Sequence, residues 1–444
     1  MPKLWMDELR SVDCPAELPR IALQRPRDGH RFEGPGCICR GADGALTLKL
    51  YAPIDLPDVF ARVAGAPGTL IDAAELYDVQ AVDMHGRSWH ATGALPKLST
   101  SLPTGTAVVR ARLNQWFASE TREKEGTSAL TVTFECDDDV PANQVEHLER
   151  RIGERVLEQS WRHAAASIPT DEGTIELRRE GPSLIASIQG TRDERDSSTL
   201  VERLTGTLEF VLGRRLQPEH VYSVAGRIRS QVIYSTDRER LKSSISPPYC
   251  WRSQGNDTSA LELIAQYFRY LTTVSPERSA ELRRWVSEVI EAGNVALEIR
   301  ALVLCVAVEG VAKLLLADKP TDAAVERELE RALNAIRHVE LAQDLRNRCL
   351  GALDALRRPR PRDLLKDLVS CGVIPNAQLR DWLSLRNQTA HAERVAVVDY
   401  GSMVEKSYSV LGLFYRLIFL IMDYRGAFSD YAQADWPASR WPPS

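Results

Sequence analysis

The hydrophobic period of the chain changes once, near residue 240, and this constrains the fold more than any other feature. Before that point the apolar residues recur every second position. Ala45-Leu-Thr-Leu-Lys-Leu-Tyr51, Ala107-Val-Val-Arg-Ala-Arg-Leu113 and Ala129-Leu-Thr-Val-Thr-Phe134 are examples, and Thr174-Ile-Glu-Leu-Arg178 and Thr207-Leu-Glu-Phe-Val211 continue the pattern. Alternation buries one face of a strand. Turn residues separate the runs at Gly41-Ala-Asp-Gly44, Gly65-Ala-Pro-Gly68 and Gly181-Pro182. One stretch, Gln144 to Ala166, reads as helix. Residues 1–240 are therefore expected to form a β-rich domain, an antiparallel sheet or sandwich carrying one helix.

Residues 236–256 are polar and broken by Pro247-Pro248, which places a linker at 241–256. From Ser259 the apolar spacing becomes helical. Helices are predicted at 259–273, 276–292, 295–317, 321–337, 340–357, 362–371, 376–392 and 399–423. Pro276, Thr321-Asp322 and Pro375-Asn376 can start helices, and Gly372 and Gly426 can end them. The predicted helix 295–317 is apolar nearly all round from Ala301 to Leu316, as the central helix of a bundle would be. The fold class is α+β: a β-rich N-terminal region followed by an all-α bundle.

Composition excludes little. The 444 residues carry a formal net charge of −5, so any nucleic-acid site must be a local basic patch. The N-terminus lacks a signal-peptide layout. The most lipid-like run, Val410 to Met422, holds Arg416 and is about 13 residues long, against the roughly 20 a span requires. A cytoplasmic protein without membrane association is expected. Its eight cysteines then read as thiols. Cys37 and Cys39, with Cys14 and His30, could supply four zinc ligands, but the spacing is not that of a known zinc module, and separate thiols are the preferred reading. No cofactor motif is present: no glycine-rich phosphate loop, nucleophile elbow or H-E-x-x-H. Asp137-Asp-Asp139 reads as a turn, and His85 and His90 as solvated residues of a hairpin.

The segment Asp381-Trp-Leu-Ser-Leu-Arg-Asn-Gln-Thr-Ala-His391 carries the chemistry. At about 100° per residue, Asn387 and His391 share a face, with Ser384 one turn back. Arg386 is roughly 140° round from His391, within reach of a long side chain. Trp382, Leu385 and Thr389 form a stripe that can anchor the helix. RNA brings its own nucleophile, the 2′-hydroxyl. Its cleavage needs a group that moves protons near neutral pH and a cation for the phosphorane. His391 and Arg386 are of those types, and Asn387 can orient the phosphate or the imidazole. No metal is required. One helix offers one histidine, whereas transesterification uses a base and an acid. A two-fold dimer would supply both.

Two further features could assist. Glu309 interrupts the apolar run Leu302 to Leu316. It either positions Arg386 or His391, or pairs with Lys313 four residues on. Arg357, Arg358, Arg360 and Arg362 lie between Pro359 and Pro361 and their flanks, in an extended basic stretch. They either grip RNA phosphates or are simply solvated.

The Arg386-Asn387-Gln-Thr-Ala-His391 segment resembles the HEPN signature of arginine, a polar residue, three more and histidine. The apolar helix with its embedded Glu309, the long apolar helix after the motif and the ending Leu420-Ile-Met-Asp-Tyr424-Arg-Gly426-Ala-Phe-Ser-Asp-Tyr431 extend the likeness. That ending is similar to the close of ApeA-type HEPN domains, in which a β-rich region also comes first. The resemblance implies a HEPN domain over 257–431 and a tail over 432–444. It implies a homodimeric, metal-independent endoribonuclease of anti-phage defence (abortive infection), with Arg386, Asn387 and His391 catalytic and Glu309 and Ser384 supporting them. RNA, with tRNA a candidate, would be the substrate, and the N-terminal region would sense a phage-derived trigger. The alternatives are a catalytically silent HEPN dimerisation module and a toxin restrained by a separate partner.

Overall fold

The computed structural model describes residues 16–53, 72–101, 106–121, 126–136, 138–152, 155–190, 197–255, 257–317, 323–354, 360–390 and 400–443. The architecture is α+β, with antiparallel sheet to Tyr234 and helices from Asp257 to Ile421. Two compact units divide the chain: residues 1–205 with 215–242, and residues 206–214 with 243–444.

In the first unit, β1 (Ala16–Gln24), β2 (Arg31–Arg40), β3 (Leu46–Pro53), β4 (Tyr77–Val82), β5 (Ser88–Ser101) and β6 (Thr106–Leu113) follow the order β4-β1-β2-β3-β6-β5. Because β4 also pairs with β5, these strands close into a barrel. Closure removes the sheet edges. The alternating residues read from the sequence fill it: Leu46, Leu48 and Leu50 face inward beside Leu113, Ala111 and Val109 of the neighbouring strand. Gly36 permits the tight approach of β2 to β3, where an added Cβ would lie 2.0 Å from the Lys49 carbonyl oxygen.

The sheet continues from the barrel through β7 (Gln115–Thr121), β14 (Ile228–Tyr234), β13 (Pro218–Ala225), β8 (Ala129–Glu135), β12 (Ser183–Gln189), β11 (Gly173–Glu180), β10 (Arg155–Thr170) and β9 (Gln144–Ile152). Here two expectations fail. The stretch 144–166 is not a helix but the antiparallel β9–β10 pair, with His163 opposite Val145 and Gln159 opposite Glu149. Val145, Leu148, Ile152 and Val156 do carry helical spacing, but β10 also gains β11 as a partner, and tertiary pairing overrides local preference. Conversely, Thr207–Val211 is not a strand; it lies in helix α1 (Ser197–Leu212). Its buried residues Leu200, Val201, Leu204, Leu208 and Val211 keep helical spacing over about three turns. A window of five residues could not show that.

The β4–β5 hairpin is pinned by Asp83. Its carboxylate accepts from the Trp89 indole N–H at 3.0 Å, Arg87 Nε at 2.9 Å, and the backbone N–H groups of His85 and Arg87. Burial alone would raise this carboxyl, but the hydrogen bonds and the Arg87 charge outweigh it and the net shift is downward. A depressed carboxylate stabilises the fold above its unfolded pKa of about 3.9, and that contribution disappears as the pH falls through the folded value. Asp83→Asn is expected to lower stability by about 1–3 kcal/mol at neutral pH, since the amide cannot accept all four bonds. It should also flatten the loss of stability below about pH 4, seen in unfolding midpoints measured across pH 3–7. His85 and His90 are exposed on this hairpin, and Asp139 pairs with Arg179 at 2.9 Å. Asp137 lies outside the described residues.

In the second unit the helices are α2 (Asp257–Thr273), α3 (Pro276–Glu291), α4 (Leu297–Ala317), α5 (Ala323–His338), α6 (Gln343–Asp354), α7 (Pro361–Ser370), α8 (Asn376–Ala390) and α9 (Tyr400–Ile421). No strand interrupts 297–421 among the described residues. α4 is central, packing on α3, α7, α8 and α9. Gly310 allows this, because a Cβ there would lie 2.1 Å from the Trp285 ring. The segment expected as a linker is packed: Tyr249 and Trp251 are buried, and the Cys250 N–H donates to Ser429 Oγ at 2.9 Å. The expected tail contains β16 (Ala438–Trp441), paired with β15 (Gly426–Ser429). Among the described residues no helix is long and apolar enough to cross a membrane.

Candidate functional site

α8 is anchored by its Trp382 stripe. Trp382 and Leu385 are buried, and the Trp382 indole N–H donates to the Cys305 carbonyl on α4 at 3.2 Å. Gln378, one turn earlier and fully buried, donates to the Ser409 carbonyl on α9 at 3.2 Å. With its apolar stripe clamped between α4 and α9, the helix turns its polar residues outward. Arg386 and Asn387 are exposed and Ser384 is half-buried. The side chain of Thr389 and all of His391 lie outside the described residues, so the histidine of the motif is not placed.

Arg386 does not stand alone. Its Nε donates to the Glu309 carboxylate of α4 in an ion pair between helices. The Arg386 side chain is 48% exposed and that of Glu309 26%, so the pair sits at the rim of the core. The guanidinium also lies 5.9 Å from the Trp382 ring centroid. Glu309 thus meets the motif arginine rather than extending only to Lys313 on its own helix. Cys305, one turn before Glu309, lies behind the pair. Burial, and then the Glu309 charge, push its thiol up to about 12 against the opposing effect of Arg386.

Ser384 brings in a residue that the sequence did not suggest. Lys406 of α9 donates from Nζ to Ser384 Oγ at 3.1 Å. A second cation therefore stands beside the Ser384–Asn387 face. Nothing near Lys406 in sequence marks it; the antiparallel packing of α8 on α9 alone brings it there. The basic stretch is less assembled. Pro361 occupies the first turn of α7 and Arg360 caps it in extended conformation, so Arg362 is helical and the stretch is not extended throughout. Arg360 and Arg362 are exposed, and Arg357 and Arg358 lie outside the described residues.

The chain matches no protein-family model, no curated protein and no solved structure.

The site has a planar cation held by Glu309 on the α4 side, an exposed amide, and an ammonium at Ser384 on the α9 side, groups of the types that bind phosphate. Among the described residues, the cysteine and histidine pattern near the N-terminus assembles no comparable centre. His30 Nδ1 lies 2.8 Å from the Tyr77 hydroxyl, and Cys39 Sγ donates to the Thr47 carbonyl at 3.7 Å. Among the described residues no group of three His, Cys, Asp or Glu side chains is set to hold a metal. Cys14 lies outside them.

Proposed function

We propose that the helical unit is a HEPN-type endoribonuclease that cleaves RNA through the 2′-hydroxyl, with Arg386, Asn387 and His391 at its centre. The observation that carries this reading is the Arg386–Glu309 pair. A carboxylate in an otherwise apolar helix is costly unless it has a partner, and its partner here is the motif arginine. Glu309 takes the Nε edge and fixes the plane of the guanidinium, leaving Arg386 oriented to engage phosphate oxygens as charge develops on them. Asn387 would orient the phosphate and His391 would transfer the proton. Lys406 adds positive charge beside Ser384.

A second copy of the chain would complete the acid–base pair. On α4, Ile299, Leu302 and Val306 are 53%, 40% and 45% exposed. Their spacing of three and four residues is that of a helix–helix seam. The seam ends one turn before Glu309, so an isologous contact along it would bring two Arg386–Glu309 pairs close to the two-fold axis. Leu302→Glu together with Val306→Glu is expected to convert a dimer to a monomer in light scattering and to remove most RNA cleavage. A wild-type monomer at micromolar concentration with full activity would refute the dimeric site.

The function is tested with purified full chain and a defined RNA. Cleavage should persist in EDTA, because the nucleophile is the 2′-hydroxyl, and the products should end in a 2′,3′-cyclic phosphate and a 5′-hydroxyl. Activity that vanishes with EDTA and returns with magnesium would sink this mechanism. The same ion pair also favours a second reading, in which Arg386 merely fastens α8 to α4 in a silent dimerisation module. Under that reading no RNA is cut, and Arg386→Ala changes stability alone. A role in anti-phage defence, with the β-rich unit responding to a phage product, follows from the HEPN resemblance. It is tested by comparing phage plaquing on cells carrying wild type and His391→Ala.

A further inference from the structure

The first unit contains a cleft of about 280 Å³ where the barrel meets the continuing sheet. Gly86, Arg87 and Ser88 at the β4–β5 hairpin tip form one wall. The other side is built by β7 and β14 through Ala118, Glu120, Arg229 and Gln231. In the β7–β14 register Ala118 lies opposite Gln231 and Glu120 opposite Arg229, so these four side chains share one face of the sheet. Ala118, the smallest of them, leaves room above the sheet. On the same face, Trp89 pairs with Ala118 and stacks on Trp116 with centroids 6.0 Å apart, which closes that side of the cleft with packed rings.

The lining carries two guanidiniums and one carboxylate. Asp83, only 1% exposed, is ion-paired with Arg87 at 2.9 Å and offsets that charge, so the exchangeable cation is Arg229. Glu120 is different: it is 42% exposed and meets Arg229 through a single contact, at 2.8 Å. A pair of that kind is worth about 0–1 kcal/mol, so an incoming anion can displace it. Arg229 is itself held, with its guanidinium 5.4 Å from the Tyr222 ring centroid. Its Nε is buried without a hydrogen-bond partner among the described residues. Ser88 and Ser119 also line the cleft.

We propose that this cleft is a binding site for a small phosphate monoester. Once Glu120 gives way, the N–H donors of Arg229 suit a multivalent oxyanion, which arginine recognises through paired N–H groups. Its volume lies just below the usual range of about 300–1,000 Å³ for small-molecule pockets. That size excludes a polymer or a dinucleotide, yet it exceeds what bare phosphate fills. A sugar phosphate or mononucleotide fits. The site does not depend on the reading of Arg386, and it gives the β-rich unit a ligand to respond to.

The test uses the full chain, with thermal unfolding and calorimetric titration against AMP, ribose 5-phosphate, inorganic phosphate and adenosine. The two monoesters should raise the unfolding midpoint in a dose-dependent way, and adenosine should not. Arg229→Ala should weaken binding by about tenfold or more, the usual worth of a charged hydrogen bond. Ala118→Leu should block the cleft while both arginines remain, and Glu120→Gln should tighten binding by removing the competing carboxylate. The conservative Glu120→Gln form keeps the test decisive if either of the other variants fails to fold. The proposal is overturned if no monoester binds, if adenosine binds as well as AMP, or if inorganic phosphate binds as tightly as ribose 5-phosphate. Binding that is unchanged in Glu120→Gln and survives either cleft variant would also overturn it.

Discussion

Replacing His391 by alanine is expected to reduce RNA cleavage by about 10²–10⁴-fold, the usual worth of general acid–base catalysis. Loss of both copies in a dimer would remove more. The fold should survive, because α8 is held by Trp382, Leu385 and Gln378 on its other stripes. Arg386→Ala should be comparably damaging, since the phosphorane loses a planar cation. Arg386→Lys should recover little. A guanidinium can give one edge to Glu309 and another to phosphate, whereas an ammonium is a point charge without that fork. Glu309→Gln separates positioning from chemistry: kcat should fall while the pH dependence set by His391 stays in place. Single-turnover cleavage of a labelled RNA, with circular dichroism of each variant, checks the series. An unaltered rate in His391→Ala would remove the motif from the mechanism.

Asp430→Ala is expected to cost about 3–5 kcal/mol of stability, the largest effect of any single substitution considered outside the motif. Arg416 sits within the apolar length of α9 and is only 5% exposed. Its guanidinium meets Asp430 at 3.0 Å and lies over the rings of Phe428, at 5.2 Å, and Trp441, at 5.9 Å. Burial lowers its pKa, and Asp430 acts against that shift. Asp430 also accepts from Gln433 Nε2 at 2.7 Å and from the Ala432 N–H at 3.2 Å. Removing the acid leaves a buried charge uncompensated. The paired change Arg416→Met with Asp430→Leu should cost less than Asp430→Ala alone, because no charge is then stranded. Urea unfolding of both variants decides this, and a shift below about 1 kcal/mol in Asp430→Ala would show that the pair is dispensable.

What the sequence determined by itself is what repeats locally. Every helix from α2 to α9 falls within a few residues of its expected span, because apolar residues three and four apart bury one stripe whatever lies opposite. Two of the barrel strands, β3 and β6, were legible in the same way: Leu46, Leu48 and Leu50 alternate because every second residue faces inward. The motif was placed on a helix for that reason, and Arg416 stood out as a charge in an apolar run. Tertiary structure decided the rest. Val145 to Val156 carries helical spacing yet forms β9 and β10, because strand pairing is a contact with another segment rather than a property of the segment itself. Barrel closure rests on β4 meeting β5. Glu309 finds Arg386, Lys406 finds Ser384 and Asp430 finds Arg416 across 77, 22 and 14 residues. An isolated charge in a sequence shows that some partner must exist, because burying it alone is too costly. Only packing selects which residue that partner is.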